Sequence, residues 1–227
     1  MIHYHGTPIT PRSELFKMAG KHFCVSFSEP RDAEVCIEIG QSVMWDNGAF
    51  TAFTQGKIFD VQKYYSWLDV RLGHPHWAVI PDVIDGDEEQ QKKLLLTFPF
   101  STALSAPVWH LGLSLSYLEF LCDKYPRICF GSSHRYWEVG SSLWSNRVDE
   151  AFNKLAKNNH IPWIHMLRGL AQAGKHWPFA SADSANVARN YKDKKICPEK
   201  MARQIDSIQC PIDLSMRPLQ QELFKGG

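Results

Sequence analysis

The feature that most constrains the fold of this chain is a regular alternation of two kinds of segment. Short apolar, β-rich runs occur at His22–Phe27, Val35–Ile39, Trp77–Pro81, Pro107–Leu111, Arg127–Phe130, Ile161–Leu167 and Pro178–Ala180. Between several of them lie amphipathic helical stretches with their own start signals. Asp60 can cap Val61–Leu72, which places Tyr64, Trp67, Leu68 and Leu72 on one face. Asp85 or Asp87 can cap Glu88–Thr97, and Ser114 or Ser116 can cap Tyr117–Tyr125. Ser145 can cap Asn146–Lys157, with Val148, Phe152 and Leu155 sharing a face, and Asp183 or Ser184 can open a helix through Tyr191. Parallel strands need a long crossover between them, and continuous apolar runs suit strands buried on both faces. The alternation therefore predicts an α/β fold, and the number of units favours a compact (β/α)8 TIM-like barrel. One domain over residues 1–227 is expected. Its last part, from about 195 to 227 with Pro198, Pro211 and Pro218, reads as a terminal helix and tail.

Composition narrows the functional classes only a little. Of the 227 residues, 44% are hydrophobic and 22% charged, which excludes a disordered chain. Lys and Arg number 25 against 24 Asp and Glu, so any basic surface must be a local patch. The six cysteines include no C-x-x-C pair, the Met1–Gly6 start has no basic region followed by an apolar one, and no apolar run reaches membrane length. A cytoplasmic protein with reduced thiols and no membrane partner is expected.

In a barrel the chemistry sits where strands end and βα loops begin. Those positions read Trp45-Asp46-Asn47-Gly48-Ala49-Phe50, Pro81-Asp82-Val83-Ile84-Asp85, Trp109-His110-Leu111-Gly112, Phe130-Gly131-Ser132-Ser133, His165-Met166-Leu167-Arg168-Gly169 and Ala180-Ser181-Ala182-Asp183-Ser184. Singly, each has a plain structural use. Asp85 and Asp183 suit helix caps, Gly48 and Gly131 suit turns, and His110 suits a satisfied core position. Packing does not require so many polar residues at one end of successive strands. Two carboxylates in unlike environments suit glycosidic chemistry, one attacking a sugar C1′ and the other handling a proton. Nearby aromatics could sandwich a planar base.

The same residues resemble the guanine transglycosylase family, both its tRNA-acting members and, more closely, its DNA-acting members that place 7-deazaguanines in phage and bacterial DNA. The Asp46–Phe50 segment is similar to the family's D-S-G-G-F motif, which makes Asp46 the general acid/base. Asp82 or Asp85 resembles the aspartate that reads the guanine edge. His110 and Gly112 stand near the family's Gln-Gly pair. Gly131-Ser132-Ser133 resembles its glycine-rich base-binding loop, and Asp183 its nucleophile. The likeness runs in order over roughly residues 20–192.

The resemblance implies that guanine in nucleic acid is replaced by a 7-deazaguanine such as preQ0, through a covalent aspartyl-nucleoside intermediate. Asp183 and Asp46 would be catalytic. Asp82, Asp85, His110, Gly112, Gly131, Ser132, His165 and Phe50 would bind substrate, and Arg135, Arg168, Lys175 and Arg189 would contact the nucleic acid. The tRNA enzymes carry a C-x-C-x-x-C zinc motif that is missing here, where the late cysteines are only Cys197 and Cys210. DNA is therefore favoured over tRNA, with no cofactor expected and zinc admissible only in a rebuilt site. Barrels of this kind can form homodimers.

Three other readings stay open at this level. His3, His5, His110, His165 and Asp183 are residue types used by metal-dependent barrel hydrolases. Tyr4-His5-Gly6-Thr7 resembles the H-G-T of ADP-ribosyltransferases. A barrel-like, non-catalytic nucleotide-binding module would use the aspartates only structurally.

Overall fold

The computed structural model describes residues 1–157 and 161–210. All strand pairings are parallel, in one nine-stranded sheet of order β5-β4-β3-β2-β1-β9-β8-β7-β6. The strands are β1 Ile2–Gly6, β2 His22–Ser26, β3 Ser42–Asp46, β4 Trp77–Val79, β5 Ser105–Ala106, β6 Val108–His110, β7 Arg127–Gly131, β8 Trp163–Met166 and β9 Ser181–Ser184. The two strands at the ends of that order, β5 and β6, are consecutive in the chain and separated only by Pro107, which has no N–H to give. The Ala106 carbonyl accepts from the Ile80 N–H (2.9 Å), and the Pro107 carbonyl accepts from the Cys129 N–H (2.9 Å). One interrupted strand thus faces β4 on one side and β7 on the other, and the sheet closes into the expected α/β barrel of eight strand positions.

Helices separate most strands. They are α1 Arg12–Phe16, α2 Ala33–Ile39, α3 Ala49–Thr54, α4 Val61–Asp69, α5 Glu88–Thr97, α6 Leu115–Lys124, α7 Ser142–Ala156, α8 Asn186–Asn190 and α9 Pro198–Asp206. Asp60 caps α4 by accepting the Lys63 N–H. Asp87 rather than Asp85 caps α5, in a reciprocal box with Gln90, and Ser114 rather than Ser116 caps α6. Between β8 and β9 a 3₁₀ turn at Leu170–Gln172 replaces the helix, which helps keep the barrel short.

Three expectations need correction. Val35–Ile39 is not a strand but most of α2. Its β-branched residues suggest alternation, yet the chain buries Ala33 and Cys36 at helical spacing, and the strand lies at Ser42–Asp46. The cap of helix α7 is Ser141, four residues before the proposed Ser145. Ser141 accepts the Trp144 N–H (3.2 Å), and the added turn brings the fully buried Trp144 into the core. The last strand starts at Ser181 rather than ending at Ala180, so Asp183 belongs to the strand. Ser184 meets the start of α8, accepting the Asn186 N–H (3.3 Å). Residues 211–227, with Pro211 and Pro218, lie outside the described residues.

The pleat sorts side chains between two environments. Tyr4, Met44, Trp77, Val79, Val108 and Cys129 cluster inside the barrel. Larger cores, built around Trp109, Phe130 and Trp144 and around Phe23, Trp45 and Tyr64, lie between strands and helices. Among the described residues no helix is long and apolar enough to cross a membrane.

Candidate active site

A cleft of about 750 Å³, measured out to its open mouth, lies at the C-terminal ends of the strands. Asp46, Phe50, Asp82 and His110 line it, together with Gly131, Ser132, Arg168 and Asp183. Eight of the expected site residues therefore meet in one place.

Asp46 is the last residue of β3. Val43 and Trp45 pack outward, so the pleat turns Met44 and Asp46 inward. Gly48 then takes a left-handed φ of 76° and donates its N–H to Asp46 Oδ2 (3.1 Å). A Cβ at this glycine would approach the Ser28 backbone nitrogen to 3.0 Å as well. The intervening Asn47 is nearly buried and ties two strand ends together. Its Nδ2 donates to the Ile80 carbonyl (2.9 Å) and to Asp82 Oδ1 (2.8 Å), and its Oδ1 accepts from the Ala49 N–H (2.8 Å). The other oxygen of Asp82 meets His110 Nε2 at 2.8 Å. The ring of His110 lies against Gly131, where a Cβ would fall 2.9 Å from Nδ1, so this strand end has room only for glycine. Asn47 was missed by sequence reasoning because Asp-Asn-Gly also reads as an ordinary turn.

The opposite wall is organised around Asp183. Arg168 adopts a left-handed φ of 57°, an uncommon conformation for a side-chain-bearing residue, and its N–H donates to Asp183 Oδ1 (2.9 Å). Its guanidinium donates to the Ser132 carbonyl (2.8 Å), while Ser132 Oγ accepts from the Trp144 indole (2.9 Å). The same guanidinium lies 4.6 Å from the Phe50 ring centre and 4.8 Å from that of Trp137. Phe50 and Trp137 stack at 5.3 Å with 28° between planes. Trp137, 47% exposed, thus joins an aromatic and cationic rim that the sequence reading did not include.

Burial pushes Asp46 up to about 6, helped by the negative charges of Asp183 and Asp82 and opposed by hydrogen bonds from Ser26 and Gly48. Burial also raises the Cys24 thiol of the cleft wall, and the neighbouring Asp183 and Asp46 raise it further.

The other expected residues lie elsewhere. Asp85 is exposed and pairs with His134 (3.2 Å), so of these two aspartates it is Asp82 that lines the cleft. Asp85 and Gly112 border a separate side cavity with Ser133 and His134. His165 is fully buried and does not line the cleft. It sits in the barrel interior, with Nε2 3.3 Å from Asp183 Oδ1. Arg135 is exposed and turned onto Tyr136, with its guanidinium 4.9 Å from the ring centre. Lys175 and Arg189 are exposed and do not line the cleft.

The histidine set proposed for a metal hydrolase is not assembled. Tyr4 points into the barrel, so its neighbours His3 and His5 point out. His3 Nε2 meets the Ile208 carbonyl (2.9 Å) and His5 Nε2 meets Asp206 (2.9 Å), both in the segment formed by α9 and the residues after it. Among the described residues no group of three His, Cys, Asp or Glu is placed to hold a metal. The same outward turn removes His5 of Tyr4-His5-Gly6-Thr7 from the cleft, and the parallel barrel is unlike the mostly β architecture of an ADP-ribosyltransferase. Comparison of the chain with protein-family models, curated proteins and solved structures finds no match in any of the three.

Proposed function

We propose that this barrel is a base-exchange transglycosylase that replaces guanine in nucleic acid, DNA in preference to tRNA, by a 7-deazaguanine such as preQ0. One observation carries the reading: two carboxylates from different strands share one strand-end cleft, each held by its own set of donors. Burial holds the Asp46 carboxyl up to about 6, close enough to neutral pH for it to give and take a proton. Asp183 is held on the opposite wall through one oxygen, which accepts the Arg168 N–H. That division suits an acid and a nucleophile.

In the proposed reaction a nucleotide is taken out of the stack into the cleft. An Asp183 oxygen bonds to C1′ as the C1′–N9 bond breaks, and its electron pair leaves with guanine. Asp46 gives that base a proton. The incoming 7-deazaguanine returns its N9 proton to Asp46, attacks C1′ and displaces Asp183. Atoms and charge balance without a redox partner. The Asn47–Asp82–His110 unit faces the cleft as the base-reading wall. One nearly buried atom beside it, His110 Nδ1, has no hydrogen-bond partner among the described residues, which leaves a polar position open to a ligand. Phe50 offers a stacking face and Arg168 a cation at the mouth for phosphate.

The test is incorporation of labelled guanine or preQ0 into duplex DNA and into bulk tRNA. Incorporation into DNA, lost in a folded Asp183→Ala variant, is the expected result. Incorporation into tRNA alone would keep the chemistry and overturn the choice of substrate. Incorporation into neither would overturn the reading.

A further inference from the structure

A polar chain runs through the barrel beneath Asp183 and is not used by the chemistry above. Trp163 Nε1 lies 2.7 Å from Ser181 Oγ, Ser181 Oγ lies 2.8 Å from His165 Nδ1, and His165 Nε2 lies 3.3 Å from Asp183 Oδ1. The parallel register explains the alignment, since His165 pairs with Ser181 and Asp183 stands two residues further along the same strand. The His165 ring is 0% exposed, with Tyr4 and Trp77 edge-on to it at 5.8 and 5.3 Å.

The donor inventory gives this chain a direction. An indole N–H only donates, so Ser181 Oγ accepts from Trp163. The hydroxyl has one proton, and its other neighbour is His165 Nδ1. An ionised carboxylate only accepts, so Nε2 must carry the ring proton that faces Asp183. A neutral ring with its proton on Nε2 satisfies every atom, in the order Trp163 to Ser181 to His165 to Asp183. The 3.3 Å contact is at the long end for a hydrogen bond, which suits orientation more than strong binding. Asp183 Oδ1 then has two donors, His165 Nε2 and the Arg168 N–H (2.9 Å), while the described residues give Oδ2 none.

We infer that His165 is a positioning residue, held in its Nε2–H tautomer by Ser181 and Trp163, which with the Arg168 N–H pins Asp183 Oδ1 and leaves Oδ2 as the attacking oxygen. This rests on the reading of Asp183 as nucleophile. In the attack, Oδ2 forms the bond to C1′ while Oδ1 keeps both donors, so the carboxylate need not rotate. Among the described residues, the other titratable or charged groups around Asp183 are Tyr4 from β1, Cys24 from β2, Asp46 from β3, Cys129 from β7 and Arg168 from the loop after β8, with Asp82 and His110 lining the same cleft.

The experiment has two arms. In the first, ¹⁵N-histidine NMR of the whole protein reads the His165 tautomer, assigned with His165→Gln, and does not depend on activity. A proton on Nε2 is expected in the wild type and a loss of that preference in Ser181→Ala. A proton on Nδ1, or a doubly protonated ring, would overturn the inference. In the second arm, base exchange is followed against pH. His165→Phe, which keeps an aromatic ring without a donor, should lower kcat about 10- to 100-fold with little change in KM. It should also move the acid limb of the profile upward, because the carboxylate loses a donor, while His165→Gln, which keeps a donor, restores part of the rate. Equal losses in both variants with an unmoved profile would reduce His165 to a packing residue. If His165→Phe does not fold, Ser181→Ala is read by the same profile. If the wild type shows no exchange, the functional reading fails, and the tautomer measurement still decides whether the polar chain is directed as argued.

Discussion

Asp46 and Asp183 end up in the same cleft from different strands, and their surroundings part them. Asp46 closes β3 in a tight turn, flanked by Ser26 and the Gly48 N–H and facing two other carboxylates. Asp183 lies within β9, held through one oxygen by a residue above it, Arg168, and one below it, His165. The lesson is that a residue type at a strand end does not fix its chemistry. Its burial, the donors that reach it and the charges facing it divide the roles.

The sharpest way to break the comparison is to exchange the charge on each wall. Asp183→Asn should lower base exchange by about 10⁴-fold or more, since it removes the proposed nucleophile. Its melting temperature should stay near that of the wild type. Asp46→Asn should cost about 10²- to 10³-fold at pH 7, the scale of lost general acid–base catalysis, and should erase the limb of the rate profile near pH 6. Comparable losses from the two variants, with the limb retained, would abolish the division of roles.

The Asp46 wall also makes a stability prediction. A carboxyl whose folded value is raised from 3.8 to about 6 stabilises the fold only while protonated, so this contribution fades as pH rises through that interval. At pH 8 Asp46→Asn should therefore be more stable than the wild type, by about 1–2 kcal/mol after discounting for the open cleft. Below pH 4 the difference should disappear. Thermal melts at the two pH values decide this.

Asn47→Ala sharpens the picture of the wall proposed to read the base. It strips a donor from the Ile80 carbonyl and from Asp82, and should destabilise the fold by about 1–3 kcal/mol. It should also weaken binding of free guanine about tenfold, read by calorimetry. The smallest effect is expected at the rim. Trp137→Ala removes one stacked ring, worth about 0.5–1.5 kcal/mol beyond its buried area, and should raise KM for nucleic acid a few-fold with kcat unchanged.

Much of the barrel was legible because parallel strands buried on both faces read as apolar runs. The run at 35–39 misled because Val35, Ile37 and Ile39 alternate like a strand, whereas tertiary packing uses Ala33 and Cys36. The strand-end carboxylates and the glycine against His110 could be found from position alone. The direction of a side chain could not. His3 and His5 look like barrel ligands until the register with β9 places Tyr4 opposite Asp183, which turns both histidines toward Asp206 and Ile208. The choice between Asp82 and Asp85 depended on which of them Asn47 and His110 reach. Trp137 gave no signal because its partners, Phe50 and Arg168, come from distant loops.

The most direct test of the proposed chemistry is to look for the covalent intermediate itself. The protein would be incubated with guanine-containing DNA without an incoming base, denatured, digested and examined by mass spectrometry. A nucleoside-linked adduct on Asp183, absent from Asp183→Asn and discharged by added 7-deazaguanine, is the expected result. An adduct on Asp46 instead, or base exchange that proceeds with no adduct on Asp183, would contradict it.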